Sequence, residues 1–293
     1  MKRLVSLLRI YRFLFLLKLV PLLERAISRL RGGIVAKNAI RTTEGSLDLA
    51  TVTYADARGR EVVLIGMQHV ADAQFFRDVA AALDREEAAG SAILYEDVRS
   101  PTDEQYDGLS EEDAAILRAF EGVFTEQAAM AASSGLVHQM DALPPRDSWT
   151  RSDIDILEMI GLIRRHGLER CLGQYLGAAD ADASVPDGPN PFAELLTDFQ
   201  FRHAHVMELA TWLGTLRPKA RKLRRLILDR RNEVAVECIR QALISNRRVA
   251  AIWGVAHLPG IGRLLKRDGF SVTEVTWNTA YRFKRFESAP GTK

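Results

Sequence analysis

The stretch Val62-Val63-Leu64-Ile65-Gly66-Met67-Gln68-His69 sets the reading of the whole chain. Its apolar, β-branched start predicts a buried strand. A glycine follows, expected to let the chain turn tightly, and a histidine stands three residues later. Asp72-Ala73-Gln74-Phe75-Phe76-Arg77-Asp78-Val79 then reads as the start of an amphipathic helix with Asp72 as its N-cap. A histidine is thus placed where a strand gives way to a helix. Open α/β sheets bind ligands at the carboxyl ends of their strands.

The same arrangement recurs near the other end of the chain. Val249-Ala250-Ala251-Ile252-Trp253 predicts a second short strand, followed by Gly254-Val255-Ala256-His257. Leu258-Pro259-Gly260-Ile261 is expected to turn into a helix running from Gly262 to Lys266 or a little beyond. A third G-x-x-H, Gly135-Leu136-Val137-His138, follows an Ala-rich helical stretch instead of a strand, and is read as structural. Shared context, not the bare motif, singles out His69 and His257.

Leu47 to Tyr54 alternates apolar and polar residues, which predicts a half-buried strand hairpinned through Ala55–Arg60 into the Val62 strand. Gly90 is placed to end the helix of residues 72–89, and Ala92-Ile93-Leu94-Tyr95 forms the next strand, closing with Glu96-Asp97. Strand, helix and strand make a βαβ unit with parallel strands, so Glu96 is expected at the same sheet edge as His69. A carboxylate ending a buried strand is costly unless it is paired, hydrogen-bonded or metal-bound; a solvated strand-end acid is the alternative reading of Glu96. Ser271 to Trp277 closes the second unit, giving a strand-G-x-x-H-helix-strand pattern twice, a candidate internal half-repeat.

Between the two units, residues 103–245 carry mostly helical patterns, including Glu111–Phe120, Thr125–Ser133 and Phe192–Leu216, and read as a helical insertion. His203 and His205 lie two apart, which on a helix turns them to different sides. They are not read as a metal pair, and His166 is likewise set aside. Arg217 to Arg231 holds eight basic residues against Asp229. This is a solvated basic face, or one suited to anionic lipid or phosphate. No aromatic residues interleave, so nucleic acid is not an expected partner. Arg230-Arg231-Asn232 marks where this basic face turns into a core-facing helix. Neighbours on a helix diverge by about 100°, so one of the two arginines is expected to face solvent and the other the interior.

Composition adds bounds. Apolar residues make up 47% of the 293, enough for a sizeable core, and the net charge is +2. Cys171 and Cys238 form no disulfide framework or zinc motif. Residues 1–31 are apolar and strongly basic, with Glu24 the lone acid. Arg9, Arg12 and Lys18 interrupt what would otherwise be a span, so the segment is expected to lie in an anionic membrane interface; a helix docked on the domain or on a second chain, and a true span, are the alternatives. The remaining divisions are a folded domain at 33–286 and a disordered tail at 287–293. The expected location is membrane-associated through the N-terminal segment, otherwise cytoplasmic.

Taken together, Gly66–His69, Glu96, Arg231-Asn232 and Gly254–His257 resemble the TraB/TIKI family, whose members carry two G-x-x-H motifs, a Glu ending the strand after the first, and an Arg near an Arg-Asn or Arg-Asp pair. The Gly-x-x-His-Leu-Pro-Gly-Ile form of residues 254–261 strengthens the likeness, which covers about residues 60–280. The apolar segment lies N-terminal here, not C-terminal as in TraB-type members. The resemblance implies a mixed α/β domain with a central sheet flanked by helices and, from the animal TIKI proteins, a divalent-metal protease; bacterial relatives include a membrane pheromone-shutdown protein. The expectation is a metal-dependent hydrolase acting on a peptide or small carbonyl substrate. His69, His257 and Glu96 would hold Mn²⁺, Co²⁺ or Zn²⁺ with positions open for water. The resemblance also implies that Arg231 is the inner of the two arginines and Arg230 the outer. Arg231 would bind a substrate carboxylate or the oxyanion, assisted by Asn232. Glu96 as general base is an alternative role. Competing expectations are a non-catalytic, membrane-associated regulatory or peptide-binding factor, and a metal-free esterase using His and Glu.

Overall fold

The computed structural model describes residues 39–176, 188–206 and 218–284. The expectations for residues 1–31 and for the tail at 287–293 lie outside the described residues. Nine strands are labelled in chain order: β1 (Ile40–Thr42), β2 (Ser46–Ala55), β3 (Glu61–Met67), β4 (Val70–Ala71), β5 (Ala92–Tyr95), β6 (Val137–His138), β7 (Thr150–Arg151), β8 (Arg248–Gly254) and β9 (Ser271–Arg282). The described helices are α1 (Ala73–Ala88), α2 (Asp103–Asp107), α3 (Glu111–Ser134), α4 (Gln139–Ala142), α5 (Ile156–Arg165), α6 (Glu169–Leu176), α7 (Pro191–Arg202), α8 (Pro218–Ser245) and α9 (Leu258–Arg267).

The architecture is mixed α/β. A central seven-stranded sheet runs in the order β1-β2-β3-β8-β5-β7, with β9 also paired to β2. Strands β3, β8, β5 and β7 are parallel, and β1, β2, β3 and β9 join through antiparallel pairs centred on β2. β3 and β5 do run the same way, but they are not neighbours: β8 is inserted between them. Its residues Val249 to Trp253 are buried, as a strand covered on both faces requires. β2 does not alternate cleanly either, since Leu47 to Ala50 are all buried.

The half-repeat is incomplete. The first unit closes with β5 running parallel beside β8, whereas the second closes with β9 running antiparallel along β2. The segment between the units is mostly helical yet contributes strands. β7 extends the main sheet beyond β5, and β6 pairs with β4 in a small second sheet. The two patterns at Glu111–Phe120 and Thr125–Ser133 belong to one helix, α3, which Gly135 ends in the left-handed conformation.

Two smaller readings change. The Leu258–Ile261 turn is the first turn of α9, with Pro259 in the opening positions where its missing N–H costs nothing. Asp72 occupies the N-cap of α1, but its carboxylate does not cap the helix; it accepts the backbone N–H of Arg282 at 2.8 Å.

Helix α8 ties the molecule together. Leu223 and Ile227 pack into a core built by α3, α5 and α6. Ala235, Val236, Ile239 and Leu243 pack into the core beneath the sheet. The buried positions recur every fourth residue, and the member between Ile227 and Ala235 is Arg231. A cation is therefore placed inside a stripe that burial would fill with apolar groups. Among the described residues, no helix is long and apolar enough to cross a membrane.

Candidate active site

The parallel register brings the two G-x-x-H motifs side by side. Met67 of β3 lies opposite Gly254 of β8, so both strands end at one edge and lead to His69 and His257. On the other flank of β8, the Glu96 backbone N–H donates to the Ile252 carbonyl at 3.0 Å, extending the β5 ladder by one residue. Glu96 thus arrives at the same edge, next to the second motif.

The motif glycines are required by close approach, not by a turn. Neither has positive φ. A Cβ on Gly66 would meet the Ala50 carbonyl oxygen at 2.7 Å, and one on Gly254 would meet Glu96 Oε2 at 2.9 Å. The Gly254 backbone N–H donates to that same carboxylate oxygen. Glycine at 254 lets the end of β8 lie directly against the Glu96 carboxylate.

Arg231 fills the centre. Its Nε donates to Asp153 Oδ1 at 3.0 Å and its Nη2 to Asp153 Oδ2 at 2.6 Å. Nη2 also donates to Glu96 Oε1, and Nη1 lies 3.3 Å from His257 Nε2. The guanidinium packs over the Trp253 ring at 5.5 Å. A guanidinium has five N–H donors and no acceptor. Four are engaged by these partners, which leaves one Nη1 hydrogen uncommitted. Because Arg231 cannot accept, His257 Nε2 must carry a lone pair, so Nδ1 holds the proton and donates to Asn232 Oδ1 at 2.8 Å.

The electrostatics follow from burial and charge. Burial pushes the Glu96 carboxyl up, but Arg231, then His257, His69 and the Gly254 amide outweigh it and bring it down to about 2. Burial pushes His257 down to about 4, opposed by Glu96 and helped by Arg231 and His69. Burial raises Asp153 despite its pairing with Arg231. Desolvation opposes the charge on Arg231, and its two carboxylate partners more than restore it. At neutral pH the cluster holds an ionised Glu96, a guanidinium and a neutral imidazole.

The structure therefore gathers Glu96, Arg231, Asn232 and His257 by direct contact. His69 is half-buried and close enough to act electrostatically on Glu96 and His257, and its side chain makes no hydrogen bond to another described residue. Arg230 turns away to Glu158 at 3.0 Å, on the surface.

One residue escaped the sequence reading. Asp153 follows the short strand β7, and its side chain is wholly buried. Its loop is fixed by Arg151, whose Nη1 donates to the carbonyls of Asp153 and Ile154 at 3.0 and 3.2 Å. Only the pairing of β7 with β5 carries Asp153 to Arg231. His138, read as structural, lies opposite Val70 in the β4–β6 pair and caps α4, its Nδ1 accepting the Met140 backbone N–H at 3.4 Å. Among the described residues its Nε2 has no hydrogen-bond partner.

A metal ion fits this arrangement poorly. Both Glu96 oxygens are engaged, and His257 Nε2 faces a guanidinium, so Arg231 already supplies the cation between them. Among the described residues, no group of three or more His, Cys, Asp or Glu is gathered for a metal ion. His203 and His205 form no exception. No family model, curated protein or solved structure matches this chain.

Proposed function

We propose that this protein is a hydrolase acting on a peptide or related carbonyl substrate, in keeping with its resemblance to the TraB/TIKI family. The observation that supports it is the convergence of Glu96, Arg231 and His257 from separate segments into one buried cluster at the carboxyl ends of β3, β5 and β8. Burying charges costs several kcal/mol per ion before pairing. Perturbed, paired groups at a sheet edge are a recurrent mark of reaction sites.

The roles follow from the geometry. Arg231 is held by Asp153 and Glu96 with one Nη1 hydrogen free to meet a carbonyl oxygen as it becomes an oxyanion. His69 is the half-exposed imidazole with no hydrogen bond to another described residue, positioned to take a proton from water. Hydroxide then adds to the carbonyl carbon, and the imidazolium returns the proton to the leaving group. Glu96 stabilises that imidazolium, and Asn232 fixes the tautomer of His257. A divalent ion would share His69, His257 and Glu96 only after the guanidinium had turned aside, so no step is assigned to one.

One observation favours a second reading. Glu96, Asp153 and His257 are all satisfied by Arg231, a closed network that would equally frame a non-catalytic peptide-binding site on a membrane-associated factor. A mixed peptide library incubated with the full chain and followed by mass spectrometry separates the two. Cleavage that disappears in His69→Ala and Arg231→Lys supports the hydrolase. Retention of peptides with no cleavage supports the binding factor.

A further inference from the structure

A cavity of about 470 Å³, with none of the Glu96–Arg231 cluster in its lining, lies between the face of β2 and β9 and helix α9. Its floor is apolar: Ala50, Val52, Leu258 and Val275 line it, and Val272, 42% exposed, borders it. The register shift between Thr53 and Tyr54 turns both Val272 and Val275 toward it, which a regular strand would not do with residues three apart.

Polar groups are few and of one kind. Arg263 and Lys266 stand three apart on α9, so they share a helix face at the rim. Both are exposed, and neither forms an ion pair or hydrogen bond with another described residue. Asp268, just beyond the same helix, is committed to Arg240 at 2.8 Å. Two cations without an acidic partner among the described residues therefore face an apolar hollow.

The third polar group is Tyr54. It is 6% exposed, and its hydroxyl has no hydrogen-bond partner among the described residues. The hydroxyl is not one of the fully enclosed unpaired polar atoms, so it opens onto the cavity that Tyr54 lines. Packing fixes its position, since a Cβ on Gly262 would overlap it. Burial also raises the Tyr54 pKa, so the group remains a donor. An unpartnered donor beside two unpaired cations, above an apolar floor, is the complement of an anionic head on a hydrocarbon chain.

We propose that the cavity between β2, β9 and α9 binds a single-chain amphiphilic carboxylate, with Arg263 and Lys266 pairing its head, Tyr54 donating to it, and the chain lying along Val52, Leu258 and Val275. The cavity volume suits one chain; a two-chain phospholipid would exceed it.

Titration calorimetry on the full chain tests this with sodium decanoate below its micelle concentration, decanol, and anionic phospholipid vesicles. Saturable one-site binding of decanoate is expected, with decanol weaker by about tenfold or more. Arg263→Ala combined with Lys266→Ala should weaken decanoate by at least about tenfold, and Tyr54→Phe severalfold, with melting temperatures unchanged in both. The charge change touches exposed residues and Tyr54→Phe removes only an unpaired hydroxyl, so these variants keep the fold. No saturable binding, equal binding of decanol, binding to vesicles but not to free decanoate, or indifference to the paired alanine change would each overturn the proposal.

Discussion

Asp153 holds Arg231 in a two-pronged grip, Nε to Oδ1 at 3.0 Å and Nη2 to Oδ2 at 2.6 Å, although 78 residues separate them in sequence. The planar fork matches the carboxylate, and lysine cannot reproduce it. Arg231→Lys should therefore lower hydrolysis by an amount equivalent to about 2–4 kcal/mol of transition-state stabilisation. Arg230→Lys, which disturbs only a surface pair with Glu158, should be nearly silent. Rates measured on any cleaved peptide decide it; equal activity in the two variants would remove Arg231 from the reaction.

The same grip makes a stability prediction that needs no substrate. Asp153→Ala leaves the guanidinium with Glu96 alone and opens a void at a fully buried position. Breaking a buried pair from one side costs about 3–5 kcal/mol. Urea unfolding should show that loss, and a change below about 1 kcal/mol would mean that solvent reaches the pair.

Gly260 and Gly161 offer a contrast between two helical glycines. A Cβ on Gly260 would overlap the Asn232 amide, whereas nothing lies within 4 Å of one on Gly161. Gly260→Ala should push Asn232 from His257 Nδ1, destabilise by about 1–3 kcal/mol, and alter the imidazole resonances of His257. Gly161→Ala should instead stabilise α5 by about 0.5–1 kcal/mol. If both substitutions behave alike, the Asn232–His257 contact does not position the imidazole.

The pH dependence of stability has a definite sign. His257 titrates near 6.5 when unfolded and at about 4 when folded, so its contribution is full above pH 6.5 and is lost as pH falls toward 4. That loss is on the order of 3 kcal/mol. Glu96, lowered from 4.5 to about 2, adds a second loss across that lower window. Asp153 is raised, so its protonation acts in the opposite direction and offsets part of it. Stability from urea titrations at pH 7, 5 and 4 should fall steeply in the native chain and less in His257→Gln. Parallel curves for the two proteins would show that His257 is not buried neutral.

Divalent ions should compete with Arg231 for Glu96 and His257. Mn²⁺, Co²⁺ or Zn²⁺ should therefore raise the melting temperature more in Arg231→Met than in the native chain, each measured against its own metal-free state. Adding His69→Ala or His257→Ala to that variant should abolish the rise. A rise that survives both histidine changes places the ion elsewhere.

Several features were legible in the sequence because they depend on local pattern. The apolar runs at Val62–Ile65 and Val249–Trp253, and the helix between Asp72 and Gly90, carry periodicity and a terminating glycine in neighbouring residues. Arg231 was singled out by the family resemblance and by the passage at Arg230-Arg231-Asn232 from a basic face to a core-facing helix; the structure sets it among the buried positions from Leu223 to Leu243. What sequence could not supply was strand order. Insertion of β8 between β3 and β5 brings together segments 187 residues apart at Glu61 and Arg248 and 158 apart at Glu96 and Gly254, and no local propensity encodes it. That one choice sets Gly254 against Glu96. The pairing of β7 at the far edge delivers Asp153, whose own neighbourhood, Ser152-Asp153-Ile154, reads as an ordinary loop. The closing strand β9 likewise joined β2 instead of completing a second parallel unit, because β2 offered a free antiparallel edge along its whole length. Local sequence determined the elements and the residues at their ends; the register and order of the sheet, set by burial across the whole chain, decided which of those ends meet.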